Sequence, residues 1–210
     1  MATSSLRRGG ALAALALVLS FGLAACGDDD STDTSGTSST TEPEPTKTAS
    51  MDAGADTFGD GCKLIPADGK GSFNGMATDP VATAASNNPL LKTLVAAVTQ
   101  AGLVDTLNSA DALTVFAPTD DAFAKIPKAT LDKVLADKAT LTKILTHHVV
   151  AGKLSPDQLA GQHKTLAGDT VTVAGSGMSY TVQGAKVLCG NIPTANATVY
   201  VVDTVLMPAS

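Results

Sequence analysis

The sequence has 210 residues and a formal net charge of −6, which is enough chain for one domain of ordinary size with tails. The charge is unevenly placed: residues 27–57 hold eight acidic side chains against Lys47, whereas twelve Asp face eleven Lys from Phe58 onward. The part from Phe58 onward is nearly neutral and contains neither Arg nor Glu. This composition argues against a nucleic-acid partner and removes the two-pronged arginine contact that favours phosphate substrates.

The first 25 residues read as an export signal. Arg7 and Arg8 precede an apolar run from Ala11 to Leu23, which is too short to span a bilayer. The next residues, Leu-Ala-Ala-Cys ending at Cys26, resemble the lipobox of bacterial lipoproteins. That resemblance implies that Cys26 is acylated, becomes the new N-terminus and attaches the protein to the extracellular face of the membrane. An ordinary secretory signal with an incidental cysteine is the alternative.

Residues 26–57 form a low-complexity stretch rich in Ser, Thr, Asp, Glu and Pro. Such a stretch buries almost nothing, so we predict a disordered tether that holds a folded domain off the membrane. Its composition also suits O-glycosylation. The candidate acceptors are Thr40, Thr41, Thr46 and Thr48.

The folded domain is expected over residues 58–210. Asn88 has the chemistry of a helix N-cap, with Pro89 at the first helical position. Apolar residues then recur with helical spacing until Gly102, which suits the residue after a helix. The pattern predicts one helix between Asn88 and Gly102.

The segment Leu113–Pro127, LTVFAPTDDAFAKIP, predicts a buried strand followed by a short helix. Thr119 reads as the N-cap of that helix, with Asp120 and Asp121 in its first turn, where the helix dipole favours carboxylates. An acid–base pair of aspartates would need further polar groups that the neighbouring sequence lacks. We therefore interpret both aspartates as capping charges.

Two further helices are predicted, beginning near Thr130 and near Thr140, before the chain returns to a strand at Val149. Ser155 and Pro156 have the pattern of an N-cap and first helical residue. From His163 onward apolar residues alternate with polar ones, and glycine-containing turns separate the runs. Helices first and an antiparallel meander last indicate an α+β fold.

Two ordered motifs resemble the signatures of the fasciclin family. Leu113–Pro127 resembles the first signature, and Ile144–Leu154, ILTHHVVAGKL, resembles the second. The family typically shows a Tyr-His pair in the second signature, where this chain has His147 and His148. Flanking segments extend the resemblance over about 61–208.

The resemblance implies a single fasciclin-like domain, a wedge-shaped β-sandwich of two sheets with several packed helices. It also implies that the last strand pairs back near the first signature. In animal relatives the second-signature region is tied to adhesion, so His147 and Val149 are the candidate binding surface. The Tyr→His departure at residue 147 sets this chain apart at that position.

The three cysteines have two different expected roles. Acylation takes Cys26, which leaves Cys62 and Cys189, and two leftover cysteines in an exported protein normally pair. We therefore predict a Cys62–Cys189 disulfide.

The histidines are expected to be structural. If His147 and His148 lie next to each other on a strand, they point to opposite faces and cannot share a metal. We expect His148 to be buried and hydrogen-bonded to backbone, and His147 to be partly exposed. No metal and no cofactor are predicted.

No catalytic motif stands out. The sequence has no Gly-x-Ser-x-Gly elbow, and Ser176 between two glycines reads as a turn. Asn196 begins a glycosylation sequon, which we interpret as a turn. The leading hypothesis is therefore a lipid-anchored, non-enzymatic, monomeric adhesion or interaction module with a protein or matrix partner. The alternative is an envelope-associated binder of an apolar or lipid-like small molecule.

Overall fold

A computed structural model describes residues 52–208. The signal segment, the acylation site Cys26 and the tether as far as residue 51 lie outside the described residues, so their predictions rest on sequence alone. Within 52–208, no helix is both long and apolar enough to cross a membrane.

The described residues form one α+β domain, which confirms the predicted fold class. A 3₁₀ helix, Asp60–Leu64, comes first. The α-helices are α1 (Phe73–Ala77), α2 (Val81–Asn87), α3 (Lys92–Ala101), α4 (Val104–Ser109), α5 (Asp120–Ala124), α6 (Lys128–Ala136), α7 (Lys138–His147) and α8 (Pro156–Leu159). The strands are β1 (Leu113–Pro118), β2 (Val149–Ala151), β3 (Gly161–Lys164), β4 (Thr170–Ser176), β5 (Ser179–Val182), β6 (Ala185–Pro193) and β7 (Ala197–Val202).

The strands are hydrogen-bonded in the order β2-β1-β7-β6-β5-β4-β3. The sheet has two halves, β2-β1-β7-β6 and β6-β5-β4-β3, which share strand β6. The register between β6 and β7 shifts twice, which bends the sheet between the halves. A backbone bridge between Val150 and Thr165 connects the two outer edges. The last strand, β7, pairs in parallel with β1, so the end of the chain does return to the first signature.

The inner strands β1 and β7 are buried on both faces. Their residues alternate between two apolar cores: Val199 and Val201 face the helices, whereas Tyr200 and Val202 face the other half of the sheet. Phe116 on β1 joins the second core, its ring centroid 6.0 Å from that of Tyr200. A strand that is buried on both faces has a nearly continuous run of apolar side chains, and here Thr114 and Thr198 are the polar exceptions.

The predicted N-cap at Asn88 is wrong. Helix α3 begins four residues later at Lys92, and Asn88 is buried, its side-chain oxygen accepting from the Leu90 N–H at 3.0 Å. The start of α3 is instead satisfied from a distant segment, because the Asp120 carboxylate accepts the Thr93 N–H at 2.7 Å. Asp120 therefore joins the first-signature helix to α3.

A disulfide joins Cys62, in the 3₁₀ helix, to Cys189 on β6, with a Cα–Cα distance of 4.8 Å. A second contact reinforces this attachment to β6, since Phe58 and Gly190 exchange two backbone hydrogen bonds. Glycine is required at position 190 because a Cβ there would collide with the Phe58 ring. That ring packs at 5.4 Å from Tyr180, which anchors the N-terminal segment in the second core.

We expect loss of the disulfide to lower the free energy of unfolding by about 4–5 kcal/mol, because the crosslink closes a loop with a sequence separation of 127. The test is urea unfolding of Cys62→Ala/Cys189→Ala beside the native chain. Either single variant should cost about as much as the pair, since each removes the same bond. Intact mass should show the native chain two hydrogens lighter than after reduction, and two freely alkylated thiols without reduction would disprove the crosslink.

Candidate functional site

The two histidines of the second signature lie where α7 ends, not on the following strand. His147 is the last residue of α7 and His148 is its C-cap, with β2 beginning at Val149. The strand geometry considered for the pair in the metal argument therefore does not apply, whereas the predicted return to a strand at Val149 is confirmed. The rings still diverge, with their planes at 89° and centroids 6.4 Å apart.

His148 is buried and uses both ring nitrogens. Nδ1 lies 2.8 Å from the Ile144 carbonyl oxygen, to which it donates, and Nε2 accepts the Leu206 N–H at 2.9 Å. These two contacts require the neutral ring with its proton on Nδ1. Burial lowers the pKa of His148 to about 4, and this outweighs the hydrogen bond to Ile144, which favours the charged form.

His147 is also buried, with 1% of its surface exposed, so the expectation of a partly exposed ring is wrong. Its Nδ1 lies 2.7 Å from Asp169 Oδ1, and its Nε2 lies 3.1 Å from Gln183 Oε1. These partners sit in the turns before β4 and before β6, which cover the end of α7. Val149 is buried as well. Neither of the two residues proposed as a binding surface is therefore accessible.

Asp169 is the centre of this cluster, and no sequence motif singled it out. One carboxylate oxygen accepts from both Thr165 and His147. Burial acts to raise the pKa of the Asp169 carboxyl, but the hydrogen bonds from Thr165 and His147 outweigh it and hold the pKa below its usual value. The cluster fixes the turn between Thr165 and Asp169 against the end of α7.

The remaining polar motif residues also have structural partners. Thr119 accepts the Ala122 N–H at 3.2 Å and so caps α5. The Asn196 side chain donates to the carbonyls of Leu107 and Ala110 at 2.8 and 2.9 Å, and accepts the Val81 N–H. Its side-chain amide thus joins the turn before β7 to the start of α2 through its oxygen and to the end of α4 through its nitrogen.

Metal ligands do not converge in the part of the chain that the structure describes. Among residues 52–208, no three His, Cys, Asp or Glu side chains lie close enough to hold an ion. His163 has a different partner from those of the other two histidines, since its Nε2 bonds to the Leu159 carbonyl oxygen at 2.8 Å.

An apolar cavity of about 60 Å³ lies beside His148, between α2, α3 and α4 on one side and β1 with the end of α7 on the other. No charged side chain lines it. Most of the lining is aliphatic, and its polar members are Thr106, Thr146 and His148. Leu166, from the turn that Asp169 fixes, stands at this cavity with 45% of its surface exposed. Leu166 therefore forms the exposed rim of the cavity.

We predict that His148→Ala lowers the free energy of unfolding by about 2–4 kcal/mol at pH 7, because it leaves a carbonyl and an amide unpaired and opens a hole. The difference in unfolding free energy between the native chain and His148→Ala should become smaller as the pH is lowered. The unfolded chain binds a proton near pH 6.5, whereas the folded ring resists it down to about pH 4, so native stability falls through that window by about 3 kcal/mol.

Urea unfolding at several pH values checks both parts of this prediction. The native chain should lose stability between pH 6.5 and 4 more steeply than His148→Ala, by the equivalent of one proton. Equal pH slopes for the two proteins would show that His148 is not held neutral. His147→Ala should also be destabilising, in contrast to what an exposed ring would give, because it removes the partner of Asp169.

Comparisons with known proteins agree with this architecture. A family model described as the fasciclin domain matches residues 89–208. The cell surface glycolipoproteins MPB83 of Mycobacterium bovis and MPT83 of Mycobacterium tuberculosis are each 47% identical over 209 residues, covering 94% of both chains. The immunogenic protein MPB70 of Mycobacterium bovis is 51% identical over 164 residues, covering 74% of this chain and 84% of that protein.

Among solved structures, the chain is similar to the domain pair of the insect cell adhesion molecule fasciclin I. The identity is 21% and the TM-score 0.47, covering 56% of this chain and 45% of that one. The family match covers more than half of this chain, and the mycobacterial relatives align along nearly all of it. The chain therefore belongs to the fasciclin domain family.

Proposed function

We propose that this protein is a lipid-anchored fasciclin domain on the outer face of the cell membrane and works as a non-enzymatic adhesion or protein-interaction module. The observation that carries the proposal is the alignment, along 94% of the chain, with relatives named cell surface glycolipoproteins. That alignment is long enough to include part of the N-terminal region that distinguishes an anchored form from the domain alone. The Leu-Ala-Ala-Cys motif ending at Cys26 supplies the attachment chemistry.

The state of the second-signature histidines supports a binding role over a catalytic one. A general base needs a ring nitrogen that can reach a substrate proton. Both nitrogens of His148 bond to backbone groups, and both nitrogens of His147 face side chains of the domain. Both rings are buried, and neither has a free nitrogen to offer a substrate.

The proposed tether between Cys26 and the domain suits a role in binding surface partners. A flexible segment of about thirty residues spans roughly 30 Å as a random coil, and its like charges extend it further. A domain on such a tether searches a volume above the membrane while it stays attached, which raises its effective concentration near a surface partner. Sugars on Thr40, Thr41, Thr46 or Thr48 would suit the same role, in keeping with the word glycolipoprotein in the relatives' names.

The apolar cavity favours a second candidate, a binder of apolar or lipid-like small molecules. Its volume of about 60 Å³ weighs against a whole lipid, since ligand pockets run to roughly 300–1,000 Å³. We therefore rank this function below protein interaction.

Cys26→Ser should abolish the membrane attachment of the protein. In membrane fractions from the native host, the unchanged chain should carry a lipid mass on an N-terminal Cys26, and the variant should appear without it. Cys62→Ala is the matched control, because that cysteine lies in the domain and should leave acylation intact. Mature protein with another N-terminus and no lipid mass would contradict the anchor.

Adhesion is tested by displaying the anchored chain on an otherwise non-adherent bacterium beside a chain truncated after residue 57. We expect saturable attachment to host cells or matrix that requires the folded domain. Reduction of the disulfide provides an independent control, since it should weaken attachment only if the fold is needed. A lipid that co-purifies with the domain, together with no attachment, would favour the second candidate.

A further inference from the structure

The His147 ring faces a hydrogen-bond acceptor at each of its two nitrogens. Its Nδ1 lies 2.7 Å from Asp169 Oδ1, and its Nε2 lies 3.1 Å from Gln183 Oε1. A neutral imidazole has one N–H donor and one acceptor nitrogen, whereas an imidazolium has two N–H donors. Two acceptors therefore match the charged ring, which donates to both.

The Asp169 side chain is an ionised carboxylate, so it can only accept hydrogen bonds. Burial acts to raise the pKa of Asp169, but hydrogen bonds from Thr165 and His147 outweigh it and hold the pKa below its usual value. The second carboxylate oxygen, Oδ2, is buried and meets no hydrogen-bond donor among residues 52–208. A buried carboxylate oxygen without a donor is costly unless an opposite charge lies close, and the His147 ring in contact with this carboxylate can supply that charge.

The orientation of the Gln183 amide decides whether His147 Nε2 donates or accepts, because a flip exchanges the amide oxygen and nitrogen. The Gln183 oxygen faces His147, and the Gln183 nitrogen faces the Thr170 carbonyl oxygen at 3.5 Å. A flipped amide would place its oxygen against that carbonyl oxygen, and the two would repel each other. The unflipped amide suits both neighbours, so His147 Nε2 is the donor.

Gln183 also occupies a backbone position that favours other residue types. Gln183 and Gly184 form the two-residue turn between β5 and β6, and both have positive φ angles, 49° and 87°. Positive φ at both positions defines the type I′ turn, whose first position prefers Asn, Asp or Gly. Glutamine is less suited to this backbone, but its longer side chain reaches His147. The choice of residue therefore indicates that the contact with His147 is needed.

Two titratable groups face the His147 ring. Asp169 reaches it from the turn before β4, and His148 lies beside it, with the two ring centroids 6.4 Å apart. Gln183, from the turn between β5 and β6, is uncharged. Burial is the main cause that lowers the pKa of His148 to about 4, and the charge of His147 lowers it further. The two adjacent histidines thus have opposite protonation states, one charged beside a carboxylate and one neutral between backbone groups.

We propose that His147 is a buried imidazolium in the folded domain and that its ion pair with Asp169 is a pH-sensitive contact. The contact forms at neutral and acidic pH, is lost in alkali, and fixes the turn of residues 165–169 against the end of α7. The tyrosine that is typical of the family at this position would donate one proton up to about pH 10. Histidine at position 147 therefore makes the contact respond to pH nearer neutrality. This inference goes beyond the proposed interaction function and does not depend on it.

The direction of the pH response follows from the protonation state that the fold keeps. An unfolded chain gives up its histidine proton near pH 6.5, so a ring that stays charged in the fold stabilises fully below that pH. Its contribution is lost as the pH rises further and the folded ring releases its proton. Mild acid leaves the pair intact, because the lowered pKa of Asp169 keeps the carboxylate ionised. His148 responds in the opposite direction, since acid removes its neutral state.

The primary measurement is ¹⁵N NMR of the histidine side chains between about pH 5 and 9.5. The protein is the chain from Lys47 to Ser210, which forms one compact unit and includes the disulfide. We expect both nitrogens of His147 to carry protons at pH 7.5, roughly one pH unit above the point at which a free histidine titrates. The methyl group of Ala167 reports on the turn, and its NMR order parameter should fall as His147 loses its proton.

Three variants test the two partners and the ring. Asp169→Asn removes the paired charge, so His147 should lose its proton about one to three pH units lower than in the native chain. Gln183→Glu keeps an acceptor opposite Nε2 and adds a negative charge, so His147 should hold its proton to a higher pH. His147→Tyr should keep the Ala167 methyl ordered throughout the titration. Asp111→Asn is the matched control for charge, because Asp111 is exposed in the loop before β1 and is not a partner of His147.

Three results would overturn the proposal. A single proton on His147 at pH 7.5 would show that the ring is neutral. Loss of the second proton without a change at Ala167 would show that the pair does not fix the turn. Loosening of the turn in alkali that persists in His147→Tyr would assign the response to another group. The titration of the native chain decides the charge of His147 even if a variant fails to fold.

Discussion

One neutral imidazole holds the end of α7 against the C-terminal segment of the domain. His148 donates to Ile144, one turn back in α7, and accepts from Leu206, 58 residues further along the chain. The contact closes the structure at the point where helices give way to the sheet, because β2 begins at the next residue and β7 ends a few residues before Leu206. A buried ring with both nitrogens satisfied specifies this packing, since any shift leaves an unpaired group in an apolar site.

His147, the preceding residue, makes a second set of long-range hydrogen bonds at the end of α7. It connects the helix end to two hairpin turns through Asp169 and Gln183, whereas His148 connects it to the C-terminal segment. Together the two rings join the end of α7 to the β3–β4 and β5–β6 turns and to the segment that follows β7. The fasciclin family typically has tyrosine where His147 stands, so this chain replaces a phenol with a ring whose two nitrogens can face two separate turns.

How far the sequence predicts the structure depends on how far apart the partners lie in the chain. Thr119 caps a helix three residues away, and the alternation of Val171 and Val173 with polar residues gives one buried face, so local rules suffice. Those rules fail for Asn88 and His147. The start of α3 is satisfied by Asp120, 27 residues on, and His147 meets Asp169, 22 residues on. The polar cluster and the cavity exist only after distant elements pack, so no local pattern could reveal them.

The account depends most on His148 being neutral with its proton on Nδ1. ¹⁵N NMR of the histidine side chains, recorded on the chain from Lys47 to Ser210 between pH 7.5 and 4, tests this most directly. We predict that His148 shows a protonated Nδ1 and an unprotonated, hydrogen-bonded Nε2 at pH 7, and that both signals stay unchanged until the pH approaches the lowered pKa of about 4. A ring that carries both protons at pH 6, or a proton on Nε2 at pH 7, would contradict the tie between Ile144 and Leu206.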